Sequence, residues 1–96
     1  MYIKSAKLTF YIPHATSLKD KRQVCRSIIH RIRRCFNVSA AEVGTLELRQ
    51  TLTIGIAVVS GDSSHAQRSL DEIIRHMEEN AEAEIVKIEY DPEDNY

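Results

Sequence analysis

Apolar and polar residues alternate along residues 3–12 and again along residues 51–60, which is the period of a half-buried β-strand. Over residues 6–12 and 52–58, Ile, Leu, Val and Phe stand only at even-numbered positions, for example Leu8 and Ile54. Pro13 ends the first segment because proline cannot donate a hydrogen bond to a β-ladder. The pattern therefore predicts two antiparallel strands, 3–12 paired with 51–60, that bury their even-numbered side chains on the same face.

From Leu18 onward the apolar residues instead recur with the spacing of one helical face, as far as Phe36. Ser17 is predicted to be the N-cap of this first helix, with Asp20 at the third helical position as a short form of the capping box. Asn37 is predicted to end the helix in the left-handed conformation.

A second helix is predicted after a turn at residues 61–64, since apolar residues recur at i, i+4, i+7 and i+11 from Ala66 to Met77. Residues 38–43 are predicted to form a short strand. The last strand is predicted to alternate at three residues, Val86, Ile88 and Tyr90.

The element order βαββαβ predicts an α+β, ferredoxin-like sandwich, with a four-stranded antiparallel sheet and both helices on one of its faces. Right-handed crossovers place the first and third strands at the centre. We expect one domain over residues 1–90 and an acidic, flexible tail over residues 91–96. The other sheet face stays open and is predicted to carry Lys7, Thr9, Tyr11, Thr51, Thr53, Ala57 and Lys87.

The composition is typical of a globular protein, with 43% hydrophobic and 28% charged residues in a chain of 96. No long apolar run is present, so we expect neither a signal peptide nor a membrane span. Cys25 and Cys35 are ten residues apart on one predicted helix, about 15 Å along its axis, which is too far for a disulfide. These observations indicate a reducing compartment and a cytoplasmic location.

Residues that would carry catalysis are not arranged in a recognisable motif. His65 and His76 are predicted to lie three helical turns apart, too far to share a metal ion. The chain holds three glycines and no glycine-rich phosphate loop. Acylphosphatases of this fold use such a loop with an arginine after the first strand, whereas here residues 14–16 read His-Ala-Thr. We expect no catalytic site, no metal and no cofactor.

Charge is divided unevenly between the two halves of the chain. Residues 1–50 hold ten Lys/Arg and three acids, or +7, and residues 51–96 hold three Lys/Arg and eleven acids, or −8. Within residues 17–36 there are seven Lys/Arg and one acid, Asp20. The positive half is predicted to attract a polyanion, although the two halves could also attract each other or solvate separate faces.

Three of these cations, Lys19, Lys21 and Arg22, crowd the start of the first helix, where the helix dipole favours acids. Each such cation costs about 0.3–1 kcal/mol when exposed, and a bound phosphate would relieve that cost. The alternative is that the side-chain stems cover the edge of the core or that the charges pair with acids of the last strand. The candidate phosphate- or RNA-binding residues are Ser17, Lys19, Lys21, Arg22, Arg26, His30 and Arg33.

Several short motifs also resemble the YlxP-like family of small bacterial conserved hypothetical proteins. They are Ile-Pro at 12–13, Ser-Leu-Lys-Asp-Lys-Arg at 17–22, Phe-Asn-Val-Ser at 36–39, Ala-Glu-Val at 41–43 and Gly-Ile-Ala-Val-Val-Ser at 55–60. The resemblance implies a ferredoxin-like fold without an established activity, and a setting near genes of translation initiation and ribosome maturation. This chain departs from the family at Arg49, where relatives have tryptophan, and at Gly44 and Thr45, where they have an Asp/His pair.

Three functions follow as hypotheses. The first is a non-catalytic module that contacts RNA phosphates, ribosomal RNA or a translation or ribosome-maturation complex through the basic first helix. The second is a protein-interaction or homodimerisation module that uses the open sheet face. The third is a small-molecule regulatory domain, a role often built on this fold.

Overall fold

The computed structural model describes residues 1–91, and the remainder of the predicted acidic tail lies outside the described residues. The elements are β1 (Tyr2–Tyr11), α1 (Leu18–Cys35), β2 (Ser39–Gly44), β3 (Thr51–Ser60), α2 (Ser63–Glu78) and β4 (Glu84–Tyr90). This order confirms the predicted βαββαβ arrangement. Within residues 1–91, neither helix is long and apolar enough to cross a bilayer.

The four strands form one antiparallel sheet in the order β2-β3-β1-β4. β1 and β3 are therefore central, as the right-handed crossover rule predicted. In their register Leu8 lies opposite Ile54, and Phe10 lies opposite Leu52, so the even-numbered side chains of both strands share one face. The architecture is an α+β, ferredoxin-like fold.

That shared face meets the apolar stripes of both helices in one hydrophobic core. Burying a large apolar side chain contributes about 1.5–3 kcal/mol, so the core supplies most of the force that holds the layers together. Cys25 is buried in it, whereas Cys35 is exposed, and both thiols are free. The largest fully buried apolar side chains are Leu8, Phe10, Ile12, Ile28, Ile32, Leu52, Ile54, Leu70, Ile73 and Met77.

The predicted alternation of β4 is wrong in one half of the strand. A β-bulge shifts the register between Thr9 and Phe10, so that Ile85 and not Val86 lies opposite Phe10. Ile85 and Ile88 pack against the core, while Val86 is 57% exposed. A bulge adds one residue to a strand and so changes which side chains point inward beyond it.

The start of α1 was predicted correctly, and its end was not. Ser17 is the N-cap, and its hydroxyl oxygen accepts from the Asp20 N–H at 3.1 Å. The helix ends at Cys35, and its C-cap, Phe36, has an extended backbone. Within residues 1–91, Thr45 is the one non-glycine residue with positive φ. Asn37 is therefore not left-handed. The extended backbone after the helix lets Phe36 and Val38 pack against the core. A left-handed turn at Asn37 would turn the chain in another direction.

Ser17→Ala is expected to lower the free energy of unfolding by about 1 kcal/mol, because the first-turn N–H group of Asp20 loses its acceptor. Urea denaturation followed by circular dichroism would measure the loss. Ser27→Ala is the matched control, since Ser27 is exposed in the middle of the same helix and alanine has the higher helix propensity. Equal losses in the two variants would contradict the capping role.

Candidate functional site

Five of the seven candidate residues form one line along the flank of α1, which we call the basic stripe. Successive members are three or four residues apart, so they lie above one another on the helix surface. All five are exposed, and the line runs for about 21 Å at 1.5 Å per residue. The basic stripe consists of Lys19, Arg22, Arg26, His30 and Arg33.

Within residues 1–91, no carboxylate lies within ion-pair distance of the basic stripe. Arg33 is held by a hydrogen bond from its guanidinium to the Ala40 carbonyl, at 2.8 Å. By contrast, Arg31 on another side of α1 pairs with Glu79 of α2 at 3.0 Å. The alternative that acids of the last strand pair with Lys19 and Arg22 is therefore wrong, and the stripe keeps its positive charge at the surface.

The basic stripe borders a groove between α1 and the outer edge of β2. The Ala40 carbonyl points out from the sheet toward Arg33, and β2 is an outer strand of the sheet. Half-buried Ile29 of α1 and buried Ala40 of β2 make the floor apolar. The groove is lined by Gln23, Arg26, Ser27, Ile29, His30, Arg33, Ala40 and Ala41.

Lys21, in contrast, does not belong to any phosphate-binding surface, which corrects the prediction. Its side chain is 1% exposed and crosses the edge of the core. The ammonium donates to the carbonyls of Thr45, Leu46 and Thr51, at 2.7, 3.2 and 3.3 Å. Position 21 lies within the apolar arc of α1, so the helix carries the long stem inward to the β2–β3 hairpin.

Glu42 completes this buried contact from the neighbouring strand. Its Oε2 lies 3.4 Å from the Lys21 Nζ but accepts no hydrogen bond. An ammonium group has three N–H donors, and three carbonyls already use them, so the carboxylate contributes charge alone. Burial, together with this nearby carboxylate, raises the pKa of the Cys25 thiol. The arrangement fixes the hairpin to α1.

The start of α1 offers less to an anion than the sequence predicted. The Asp20 carboxylate accepts from the Thr16 N–H at 3.0 Å and from the Thr16 hydroxyl at 2.8 Å. These hydrogen bonds hold the pKa of Asp20 below its usual value, which keeps a negative charge at the positive end of the helix. The cations that remain available lie along the flank, and a phosphate contact from Ser17 stays a prediction.

The open sheet face is largely as predicted, with one correction. Thr53 is only 4% exposed, because the hairpin folds over it and Thr45 contacts its hydroxyl at 2.9 Å. Glu89 pairs with both Lys7 and Lys87 across this face. The predicted homodimer or partner contact on this face, and the regulatory small-molecule role, stay predictions.

The sequence alone did not reveal the groove. Gln23 and Ser27 follow the stripe on the helix surface, but nothing local indicates that β2 lies beside them. That neighbourhood depends on the crossover from α1 to the edge of the sheet. Within residues 1–91 there is also no group of three or more His, Cys, Asp or Glu side chains that could hold a metal ion.

Comparison with known proteins gives one family match and one curated relative. The family model described as "Protein of unknown function (DUF503)" matches residues 3–90. The "Uncharacterized protein YlxP" of Bacillus subtilis (strain 168) is 34% identical over 70 residues, which cover 73% of this chain and 76% of that protein.

Two solved structures are similar at a distance. An amidase of the hydantoinase/carbamoylase family from Burkholderia phymatum matches with a TM-score of 0.48 and 8% identity, covering 98% of this chain and 29% of that one. A REP-associated tyrosine transposase bound to a REP hairpin matches with a TM-score of 0.38 and 15% identity, covering 97% and 53% of the two chains. Neither likeness bears on function.

Proposed function

This chain belongs to the DUF503 family, whose description leaves the function open, and we propose from its geometry that it binds RNA through phosphate contacts along the basic stripe. The protein acts as a binding module in the cytoplasm and carries out no reaction of its own. The link to translation that the family resemblance implies stays a prediction.

One observation carries this proposal: the basic stripe is exposed and lacks carboxylate partners within the described residues. Surface cations usually alternate with acids, which limits their mutual repulsion. Here Lys19, Arg22 and Arg26 follow one another on a single flank with no acid between them along it. A hydrogen bond between such a cation and a phosphate contributes about 1.5–3 kcal/mol. A polyanion that forms several of these hydrogen bonds therefore binds more tightly than a single phosphate.

The rest of the chain orients such a ligand. Exposed acids on α2 and just beyond it, including Asp71, Glu72 and Glu78, lie in the half that carries −8. The basic stripe lies in the half that carries +7. A polyanion is therefore attracted to the flank of α1 and repelled by the exposed acids of α2, and such attraction raises its association rate.

Contacts to phosphates position a nucleic acid without reading its sequence. Within the described residues, the groove and the stripe present no Phe, Tyr or Trp side chain. We therefore expect affinities that vary little among RNAs of different sequence.

Salt dependence tests the proposal. If Lys19, Arg22, Arg26 and Arg33 each neutralise one phosphate, the logarithm of the association constant should fall with the logarithm of salt concentration with a slope of about −3 to −3.5. Fluorescence anisotropy with a labelled RNA, from low to physiological salt, would measure this slope. Poly-glutamate of matched charge is the control for unspecific attraction, and failure to bind RNA at low salt would refute the function.

A further inference from the structure

We propose that the RNA bound by this protein is single-stranded, and that one of its unpaired bases occupies the groove between α1 and β2. This inference rests on the proposed function and narrows its ligand class. The phosphates on either side of that base would contact the basic stripe.

The groove has two chemical characters that match the two parts of a nucleotide. Its rim carries the Arg26, His30 and Arg33 side chains, which suit phosphates, and its floor carries Ile29 and Ala40. Duplex RNA keeps its bases stacked inside the helix and presents phosphates and hydroxyls at its surface. A duplex could therefore use the rim alone, whereas an unpaired base can reach the apolar floor.

Polar groups beside the floor suit the edge of a base. Arg33 reaches the Ala40 carbonyl from outside the sheet. In an antiparallel strand the N–H and C=O of one residue point to the same side, so the Ala40 N–H also faces the groove. Gln23 and Ser27 stand on the helix side of the groove. The Arg33 guanidinium is held by its bond to Ala40, and planar guanidinium groups stack on bases.

The competing occupant is an extended peptide that would add a strand to the edge of β2. Two features favour RNA over a peptide. The register of β2 shifts between Glu42 and Gly44, so the regular edge is only four residues long, and such irregularities discourage strand addition. The rim is also lined by cations, and an ordinary peptide strand has no charge to match them.

Anisotropy measurements on one labelled 12-nucleotide RNA, free and annealed to its complement, test this inference. We expect the wild-type protein to bind the single strand about tenfold more tightly than the duplex, because one base is buried against the apolar floor. Ser27→Leu fills the groove without changing charge or weakening helix propensity. It should remove this preference and leave the salt slope and the duplex affinity unchanged.

Ser64→Leu is the matched control, because Ser64 is exposed in the first turn of α2 and should keep the preference. Equal wild-type affinities for single strand and duplex would overturn the inference and leave the phosphate-binding function in place. If the Ser27→Leu variant still prefers the single strand, the inference is likewise overturned and the phosphate-binding function stays in place. Binding of neither RNA form would instead refute the proposed function, and tighter binding of poly-glutamate than of RNA would favour a protein partner.

Discussion

Lys21→Ala is expected to lower the free energy of unfolding by about 3 kcal/mol or more, the cost of removing one partner from a buried ion pair. Three hairpin carbonyls lose their shared donor, and the partly buried Glu42 carboxylate loses its counter-charge. For a domain of this size the loss corresponds to a fall in melting temperature of roughly 12–24 °C.

Thermal and urea denaturation, followed by circular dichroism, would measure this change. Lys19→Ala provides the control, because Lys19 is exposed on the same helix and surface substitutions usually change stability by less than 0.5 kcal/mol. A result in which Lys21→Ala costs no more than Lys19→Ala would show that the hairpin does not depend on the buried ammonium.

Reversing two charges of the basic stripe, Arg22→Glu with Arg26→Glu, is expected to weaken RNA binding by two orders of magnitude or more. Each lost cation–phosphate hydrogen bond is worth about 1.5–3 kcal/mol, and each new carboxylate adds repulsion. The salt slope should become shallower by about 1.5, because two phosphate contacts are lost. Both positions are exposed, so the variant should fold normally.

The sharpest control is a second double variant, Arg68→Glu with Arg75→Glu on α2. It makes the same change in net charge at exposed positions away from the stripe. If the stripe is the binding surface, this control should bind RNA far better than the α1 variant and keep the wild-type slope. Equal losses in both variants would mean that net charge, and not the stripe, governs binding.

The alternation of apolar residues was enough to predict the register of the two central strands. Leu8 and Ile54 occupy the same phase of two long, uninterrupted patterns, and a slip of one residue would expose both to water. The sequence of β4 does not fix its register in this way, because Ile85 and Val86 are adjacent apolar residues and either could point inward. The bulge selects Ile85, and it arises from pairing with β1, which no local pattern reports.

Lys21 shows a second limit of local reasoning. Its place within the apolar arc of α1 could be seen in the sequence, and it indicated a buried stem. The carbonyls that bind its ammonium belong to Thr45, Leu46 and Thr51, at least 24 residues away. The packing of the hairpin against α1 is what distinguishes the structural role of Lys21 from the role of the exposed cations beside it.

The central place of β1 also governs when the protein can fold during its synthesis. One neighbour of β1 is β3, and the other is β4, whose Tyr90 lies opposite Ala6. Ribosomes add about 5–20 residues per second, so the roughly 30 residues after β3 take about 1.5–6 s. During that interval one edge of the central strand β1 has no partner in its own chain, and contacts so distant in sequence form slowly. The nascent chain is therefore most exposed to aggregation or to chaperone binding after most of its core residues have been made.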